Sequence, residues 1–375
     1  MQQAMLYRKI NPDHHERESA NTMNKNKRLS IVFTSVLAFA LVVTGCGNSN
    51  NDSSASSAAP ASGGASPAAS GGEAPAAGTY EYKTKAEGDI TIGFSQTVMN
   101  HPFRIALVES AKQSAEELGI ELIVTDGQGD VNKEISNIES LIARKVDAIV
   151  VSSLSGKAIY PAYKQVAEAK IPLIIAASGV PDDENIPYVS YVATDEVQMG
   201  QQAAQYIAKL LNNKGNIVVI DGVPESTNSE LRRKGFMPEI EKFPDIKVVA
   251  HQSGEWLRLP AMQVMTNILQ ANDKIDVVLA QNDEMGFGAM EAIKKAGREN
   301  EIKVIGMDAQ KEALELIKNG DNFIMSVKNE WSSDTALRLA VDAVRGKQIE
   351  KRVVLEAPII DKTNIDQFYD PNSIF

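Results

Sequence analysis

From residue 90 onward, short aliphatic runs alternate with longer stretches of helical period, and this restricts the fold more than any other feature. The runs ITIGFSQ (90–96), ELIVTD (121–126), AIVVSS (148–153), PLIIAAS (172–178), NIVVIDG (216–222), KVVAHQS (247–253), DVVLAQND (276–283), KVIGMDA (303–309) and FIMSVKN (323–329) read as strands. Between most of them lie helical patterns such as RIALVESAKQSAEELG and SNIESLIARK, with apolar residues three and four apart. Strands aliphatic on both faces belong in parallel sheets covered by helices on each side. There are too many for one compact sheet. The segment YVSYVATDEVQMGQQAAQYIAKLL (188–211) reads as a strand leading into a long helix, which starts a second series. The expected fold is therefore α/β, with two doubly wound parallel-sheet lobes. In such sheets ligands bind beyond the carboxyl ends of the strands.

The region before the strands has a different character. Lys25, Lys27 and Arg28 precede the apolar run IVFTSVLAFALVV (31–43), followed by Thr44, Gly45 and Cys46, the only cysteine among 375 residues. A lone cysteine makes no intramolecular disulfide, and the apolar run is short for a membrane span but suited to an export signal. Val43-Thr44-Gly45-Cys46 is similar to the box of bacterial lipoprotein signals, which implies cleavage before Cys46 and lipid attachment to it. Residues 1–45 are thus expected to be a signal peptide with an over-long start, since Met23 is the better initiator. Residues 46–86, rich in Ser, Ala, Gly, Pro and Asn at first, are expected to be a lipid-anchored tether, because such a composition cannot bury enough apolar surface to offset chain entropy. The expected location is extracytoplasmic, at the membrane surface. A net charge of -11 argues against a nucleic-acid partner.

At the strand ends lie Ser95 with the loop NHPFR (100–104), Asp126 with Gln128, Ser152 and Ser153, Ala177 and Ser178, Glu230, Trp256, Asn282 with Asp283, Asp308 and Asn329. Hydroxyl, amide and carboxylate groups accompanied by two aromatics, Phe103 and Trp256, suit a polyhydroxylated ligand: planar polar groups take paired hydrogen bonds and rings cover its C–H face. The set is poor in catalytic machinery, for outside the NHPF loop the folded part has only His251, inside a strand. Neither a metal nor a cofactor is expected. The run DGQGDVNKE has Val131 and Asn137 where a calcium loop needs Gly and Glu, and GFGAM lacks the third glycine of a dinucleotide fingerprint.

Residues 88–375 resemble the ribose-type (type I) periplasmic sugar-binding proteins, the substrate-binding components of bacterial ATP-binding-cassette importers. The resemblance is carried by VVLAQNDEMGFGAMEAIKKAG, SQTVMNHPFRIALVESAK, ELRRKGF and VIGMDA, in that family's order. It implies lobes joined by a three-strand hinge, with crossovers near Ala193–Asp195, Asn329–Trp331 and Ala357–Pro358. One lobe would comprise 87–193 plus 330–357 and the other 194–329 plus 358–375. By the same resemblance Asn282 is the sugar-binding amide, Asp308 the carboxylate at the next strand end, Asn329 the amide of the last crossover, and Trp256 and Phe103 the aromatic faces. Arg104 matches a cleft arginine of some branches, whereas Arg232 reads as mainly structural. The chain departs from the ribose pattern at Ala177-Ser178, where that branch has Asp-Arg, and at Glu230, where it has Arg. A larger sugar, an oligosaccharide or a polyol is the implied ligand. Ser95, Phe103, Arg104, Ser178, Glu230, Trp256, Asn282, Asp308 and Asn329 form the expected site. His101 reads as a polar rim residue, and Asn282 and Asp283 also stand where a helix cap is needed. The implied partners are a membrane permease and its ATPase, with the chain acting as a monomer. A sensor that presents its closed form to a membrane receptor or histidine kinase is the alternative.

Overall fold

The computed structural model describes residues 80–178, 186–224 and 226–375. The expected signal, Cys46 and most of the expected tether lie outside the described residues.

Among the described residues, twelve strands form two six-stranded sheets. The first contains β1 (Thr91–Gln96), β2 (Glu121–Asp126), β3 (Ala148–Ser152), β4 (Leu173–Ala176), β5 (Ser190–Thr194) and β11 (Arg352–Leu355), in the order β11-β5-β4-β3-β1-β2. The second contains β6 (Lys214–Asp221), β7 (Asp245–Ser253), β8 (Val277–Ala280), β9 (Lys303–Asp308), β10 (Phe323–Lys328) and β12 (Ile359–Asp361), in the order β12-β10-β9-β8-β6-β7. Pairing is parallel except between β10 and β12. The helices are α1 (Pro102–Leu118), α2 (Val131–Ala143), α3 (Tyr160–Glu168), α4 (Glu196–Leu210), α5 (Thr227–Ile240), α6 (Arg258–Ala271), α7 (Asp283–Lys295), α8 (Lys311–Asn319) and α9 (Ser333–Val344).

Successive strand residues face opposite sides of a sheet, and here both sides are buried. Ile92, Phe94, Ala148 and Val150 enter one apolar cluster, while Ile149 and Val151 enter the cluster on the other face. The second sheet repeats the division, with Val218 and Ile220 on one face and Ile217 and Val219 on the other. Helices pack closely where glycine allows it. A methyl at Gly200 would lie 2.1 Å from the Arg232 carbonyl oxygen, and one at Gly235 would lie 2.0 Å from that of Val197, so α4 and α5 touch through their backbones.

The chain passes between lobes three times: from β5 to α4, from β10 to α9 and from β11 to β12. The two-lobed fold and triple connection match the sequence expectation. The edges do not. β11 and β12 were not among the anticipated strands, and β12 makes the second sheet mixed.

Two boundaries also need correction. Residues 80–86 were assigned to the tether, yet the Tyr80 hydroxyl donates to the Ile171 carbonyl and accepts from Leu173 N–H, both at 2.7 Å, and Lys85 pairs with Asp147 at 3.2 Å. A half-buried aromatic packed on the lobe's core and an ion pair make this stretch part of the first lobe. Residues 358–375 were assigned wholly to the second lobe. Ile365 packs in that lobe's core, but Phe375 crosses to the first, edge-on to Phe103 at 5.7 Å and to Trp331 at 5.8 Å between ring centroids.

Candidate functional site

In each lobe the strand order reverses beside the first strand of its series, between β1 and β3 and between β6 and β8. Backbone amides and side chains beyond the carboxyl ends diverge there, leaving a crevice. The two crevices face one another across a cavity of about 610 Å³, lined from the first lobe by Thr97, His101, Phe103, Arg104, Ser155 and Ala177 among others. From the second lobe and the crossover come Asn228, Arg232, Trp256, Asn282, Asp308 and Asn329.

The second-lobe wall is densely bonded. Asn282 caps α7: its Oδ1 accepts from Met285 N–H at 2.9 Å and its Nδ2 donates to the Trp256 carbonyl at 3.1 Å. Asp308 ends β9 and accepts at Oδ1 from Asn329 Nδ2 at 3.3 Å, while Asn329 Oδ1 accepts from the Thr194 hydroxyl at 2.8 Å. One carboxylate and one amide thereby tie the second crossover to the first. Burial, opposed by the Arg232 guanidinium, pushes the Asp308 carboxyl up to about 7. Arg232 is itself buried: its Nε pairs with Glu196 at 2.5 Å, its Nη1 donates to the Gln281 carbonyl, and Nη2 lies 3.8 Å from Asp308.

Trp256 is held in the left-handed backbone region at φ 64°, next to Glu255 at 58°. Its ring lies on Gly222, where a methyl group would sit 2.1 Å from ring carbons, and the Arg232 guanidinium is 5.5 Å from its centroid. Asp308 at φ 118° and Ala177 at 49° also border the cavity. Four non-glycine residues with positive φ at one cavity mark backbone strain stored at a functional place.

The first-lobe wall is built differently. Arg104 is buried, and among the described residues its hydrogen bonds all run through Nη1, to Gln96 Oε1 at 3.4 Å, the Ser152 carbonyl at 3.4 Å and the Ser152 hydroxyl. Burial lowers its pKa to about 10, which still leaves a cation at neutral pH. Behind it, Glu134 of α2 accepts at Oε2 from the hydroxyls of Thr97, Ser153 and Ser155 at 3.0, 3.1 and 3.0 Å. Burial raises the Glu134 pKa, with those hydroxyls pulling it back. This carboxyl fixes the loops after β1 and β3 on each other.

Six of the nine sequence-selected residues line the cavity: Phe103, Arg104, Trp256, Asn282, Asp308 and Asn329. Three lie elsewhere. Ser95 is fully buried one residue before the end of β1, with the cavity beginning only at Thr97. Ser178 turns its hydroxyl back to the Ala176 carbonyl at 3.2 Å, so Ala177 borders the cavity instead. Glu230 is exposed on α5, because Asn228 and Arg232 share the inward face at a four-residue spacing and the residue between them points away. Phe103 is only 5% exposed and serves the core as well as the cavity wall. Trp331 packs in the first-lobe cluster.

Arg232, read as structural, both anchors the wall and reaches the cavity. His101 and Asn228 were not selected. The signal for Asn228 was its four-residue spacing from Arg232; His101, read as a polar rim residue, lines the cavity and caps α1. Asp283 is buried and bonded at its two oxygens, to the Ser326 hydroxyl at 2.8 Å and Gln310 N–H at 2.7 Å, and holds β8, β9 and β10 together. Burial, reinforced by nearby Asp308, raises its pKa well above the usual carboxylate range.

Residues 92–348 match the model of the periplasmic binding protein domain family. The chain belongs to that family. Its members are binding components of transport systems and not catalysts, in keeping with a cleft rich in amides and charges. The binding protein is 31% identical over 266 residues to a ribose import binding protein of Bacillus subtilis, covering 71% of this chain and 85% of that one. It is 36% identical over 260 residues to a xylitol-binding protein of Mycolicibacterium smegmatis, covering 67% and 72%. Among solved structures, the fructose-binding periplasmic domain of a hybrid two-component system superposes with a TM-score of 0.70 at 29% identity, covering 74% of this chain and 92% of that one.

Proposed function

We propose that the binding protein captures a monosaccharide or polyol between its lobes and delivers it to an ATP-binding-cassette importer, while anchored to the outer face of the cell membrane by a lipid on Cys46. The observation that carries this reading is the convergence of Arg104, Asn282, Asp308 and Asn329, from both lobes and a crossover, on one cavity of about 610 Å³. That size falls within the usual range for small-molecule sites. Xylitol and ribose, the ligands named for two relatives, are the class such groups suit. Missing the Asp-Arg pair of the ribose pattern at Ala177-Ser178, the cleft is expected to favour a polyol or a sugar larger than ribose.

Contacts to both walls exist only when the lobes are together, so the ligand binds the closed form better and shifts the population toward it. Three connecting chains restrict that motion to hinge bending. Micromolar affinity needs about -8 kcal/mol, within reach of several charge-assisted hydrogen bonds and one aromatic face. The importer recognises the closed protein and supplies ATP hydrolysis. The protein acts as a monomer, tethered through the segment after Cys46.

A second reading is favoured by the relative in a two-component system: the closed form would be presented to a membrane receptor or histidine kinase. A deletion strain that still imports the sugar but no longer induces its uptake genes would support it. The primary reading is tested by a thermal-shift screen of the purified protein against pentoses, hexoses, linear polyols and cyclitols. A ligand specific to the native state raises the midpoint with concentration. Failure of every carbohydrate to do so would sink it.

A further inference from the structure

Residues 359–371 run along the second lobe and are fixed to it. There β12 pairs with β10, Ile365 is buried in the core, and Phe368 and Tyr369 pack against it. The Tyr369 hydroxyl donates to Glu315 of α8 at 3.2 Å, and Lys311 at the start of α8 donates to the Pro371 carbonyl. Four residues further on, Phe375 is buried in the other lobe, where its ring meets those of Phe103 and Trp331. Among the described residues, that ring is what holds the segment there. Asn372 and Ile374 are exposed, and the hydrogen bonds of Asn372, Ser373 and Phe375 stay within 370–375.

The connecting residues have little length to give. Asn372 N–H donates to Asp370 Oδ1 at 2.8 Å and Ser373 N–H to the Asp370 carbonyl at 3.1 Å, while the Ser373 hydroxyl donates to the Phe375 carbonyl at 2.7 Å. Four residues reach about 14 Å at most when fully extended. Unrolling this turn therefore provides a bounded slack, and a wider separation of the lobes must draw the Phe375 ring out of the first lobe.

We propose that residues 371–375 are a fourth, non-covalent tie between the lobes, in which Phe375 docks against Phe103 and Trp331 while the lobes are together and restrains their opening. Withdrawing an aromatic ring from an apolar slot returns its surface to water, which opposes the motion in proportion to the area exposed. The three covalent crossovers guide the hinge; the tie sets how readily it opens. Phe103 also lines the cavity, so Phe375 buttresses one wall from behind without touching the ligand. Phe375 is thus a positioning residue: it raises the fraction of protein in the closed form, and apparent affinity scales with that fraction. The tie does not depend on what the cleft binds, whereas its effect on affinity rests on capture by closure as proposed above.

Small-angle scattering without ligand compares the parent protein with Phe375→Ala and Phe375→Leu. Phe375→Ala is expected to be the more expanded, and Phe375→Leu, which keeps an apolar side chain in the slot, to lie between it and the parent. An unchanged radius of gyration in Phe375→Ala overturns the tie. Xylitol, ribose and myo-inositol are then titrated. For whichever binds the parent, Phe375→Ala is expected to lose about tenfold in affinity, as partial exposure of one aromatic ring implies, and Phe375→Leu less. Equal affinity in the parent and Phe375→Ala overturns the inference. Hydrogen exchange on the parent protein supplies an arm that needs no variant to fold: the Ser373 and Phe375 amides exchange when the segment is drawn out, so saturating ligand is expected to slow them severalfold. The same rates with and without bound ligand would show that the segment does not follow the lobes, and would overturn the tie. If no carbohydrate binds the parent, the proposed function fails, while the scattering comparison still decides the tie.

Discussion

The two walls of the cleft are made of similar residue types in different states of satisfaction. On the second lobe, Asn282, Asp308 and Arg232 each hold protein partners that also support the lobe: a helix cap, a crossover amide and the Glu196 ion pair. On the first lobe, Arg104 bonds through one terminal nitrogen to neutral oxygens, and behind it Gln96 Nε2, Ser95 Oγ and Glu134 Oε1 are buried without partners among the described residues, whereas on the second-lobe wall the same is true only of Trp256 Nε1. A bonded wall is preorganised and costs little to present to a ligand, whereas a wall with unspent hydrogen-bonding capacity gains most when a ligand arrives. The second lobe is thus the platform and the first lobe the responsive face. Substitutions on the platform should damage both stability and binding; those on the responsive face should damage binding alone.

The largest effect tests the platform. Glu196→Ala leaves the buried Arg232 without its main partner and is expected to cost about 3 to 5 kcal/mol in urea unfolding, together with ligand binding. Loss below 1 kcal/mol would mean that the pair does not support the wall. Next in size, Gly222→Ala pushes the Trp256 ring off its seat and should weaken binding as Trp256→Ala does, roughly 10- to 100-fold if ring burial supplies about 1.5 to 3 kcal/mol. Retained affinity in Gly222→Ala with loss in Trp256→Ala would place the ring's contribution elsewhere.

On the responsive face, Arg104→Met is expected to reduce affinity by at least about tenfold while leaving the melting midpoint equal or higher, since replacing a poorly paired buried cation by an apolar side chain removes a desolvation cost. A fall in stability as large as that of Glu196→Ala would erase the contrast between walls.

The smallest effect is a slope. The folded-state pKa of Asp308, about 7, lies above its unfolded value of about 3.9, so its contribution to stability is complete below about pH 4 and is lost as pH rises through 7. Asp283 acts with the same sign. Asp308→Asn should flatten the decline in melting midpoint between pH 4.5 and 8, and an unchanged slope would assign the decline to Asp283.

Much of this organisation is legible in the sequence because parallel strands buried on both faces spell continuous aliphatic runs, as in IVVIDG before the Gly222 turn. The edge strands escaped for the complementary reason. β11 is half exposed along RVVL, and β12 is three residues long, leaving no pattern to separate them from loops. Within the site, residues in a strand-to-helix turn, such as Asn282 and Asp308, could be placed because the strand end fixes them. Ser178 was lost to a shift of one residue, since Ala177 lines the cavity, and Ser95 to a shift of two, since the lining begins at Thr97. Glu230 was lost to helix phase, which Asn228 and Arg232 reveal once α5 is known to begin at Thr227. Glu134 had no sequence signal, since its hydroxyl partners lie as far as 37 residues away in the chain.

The account stands or falls on one ligand joining two unequal walls. Small-angle scattering of the purified protein, titrated with the carbohydrate that gives the largest thermal shift, measures that joining directly. A radius of gyration that falls and saturates in step with binding in the parent protein, and that no longer falls in Arg104→Met at the same ligand concentration, is the predicted result. Saturable binding with no change in radius would contradict capture by closure.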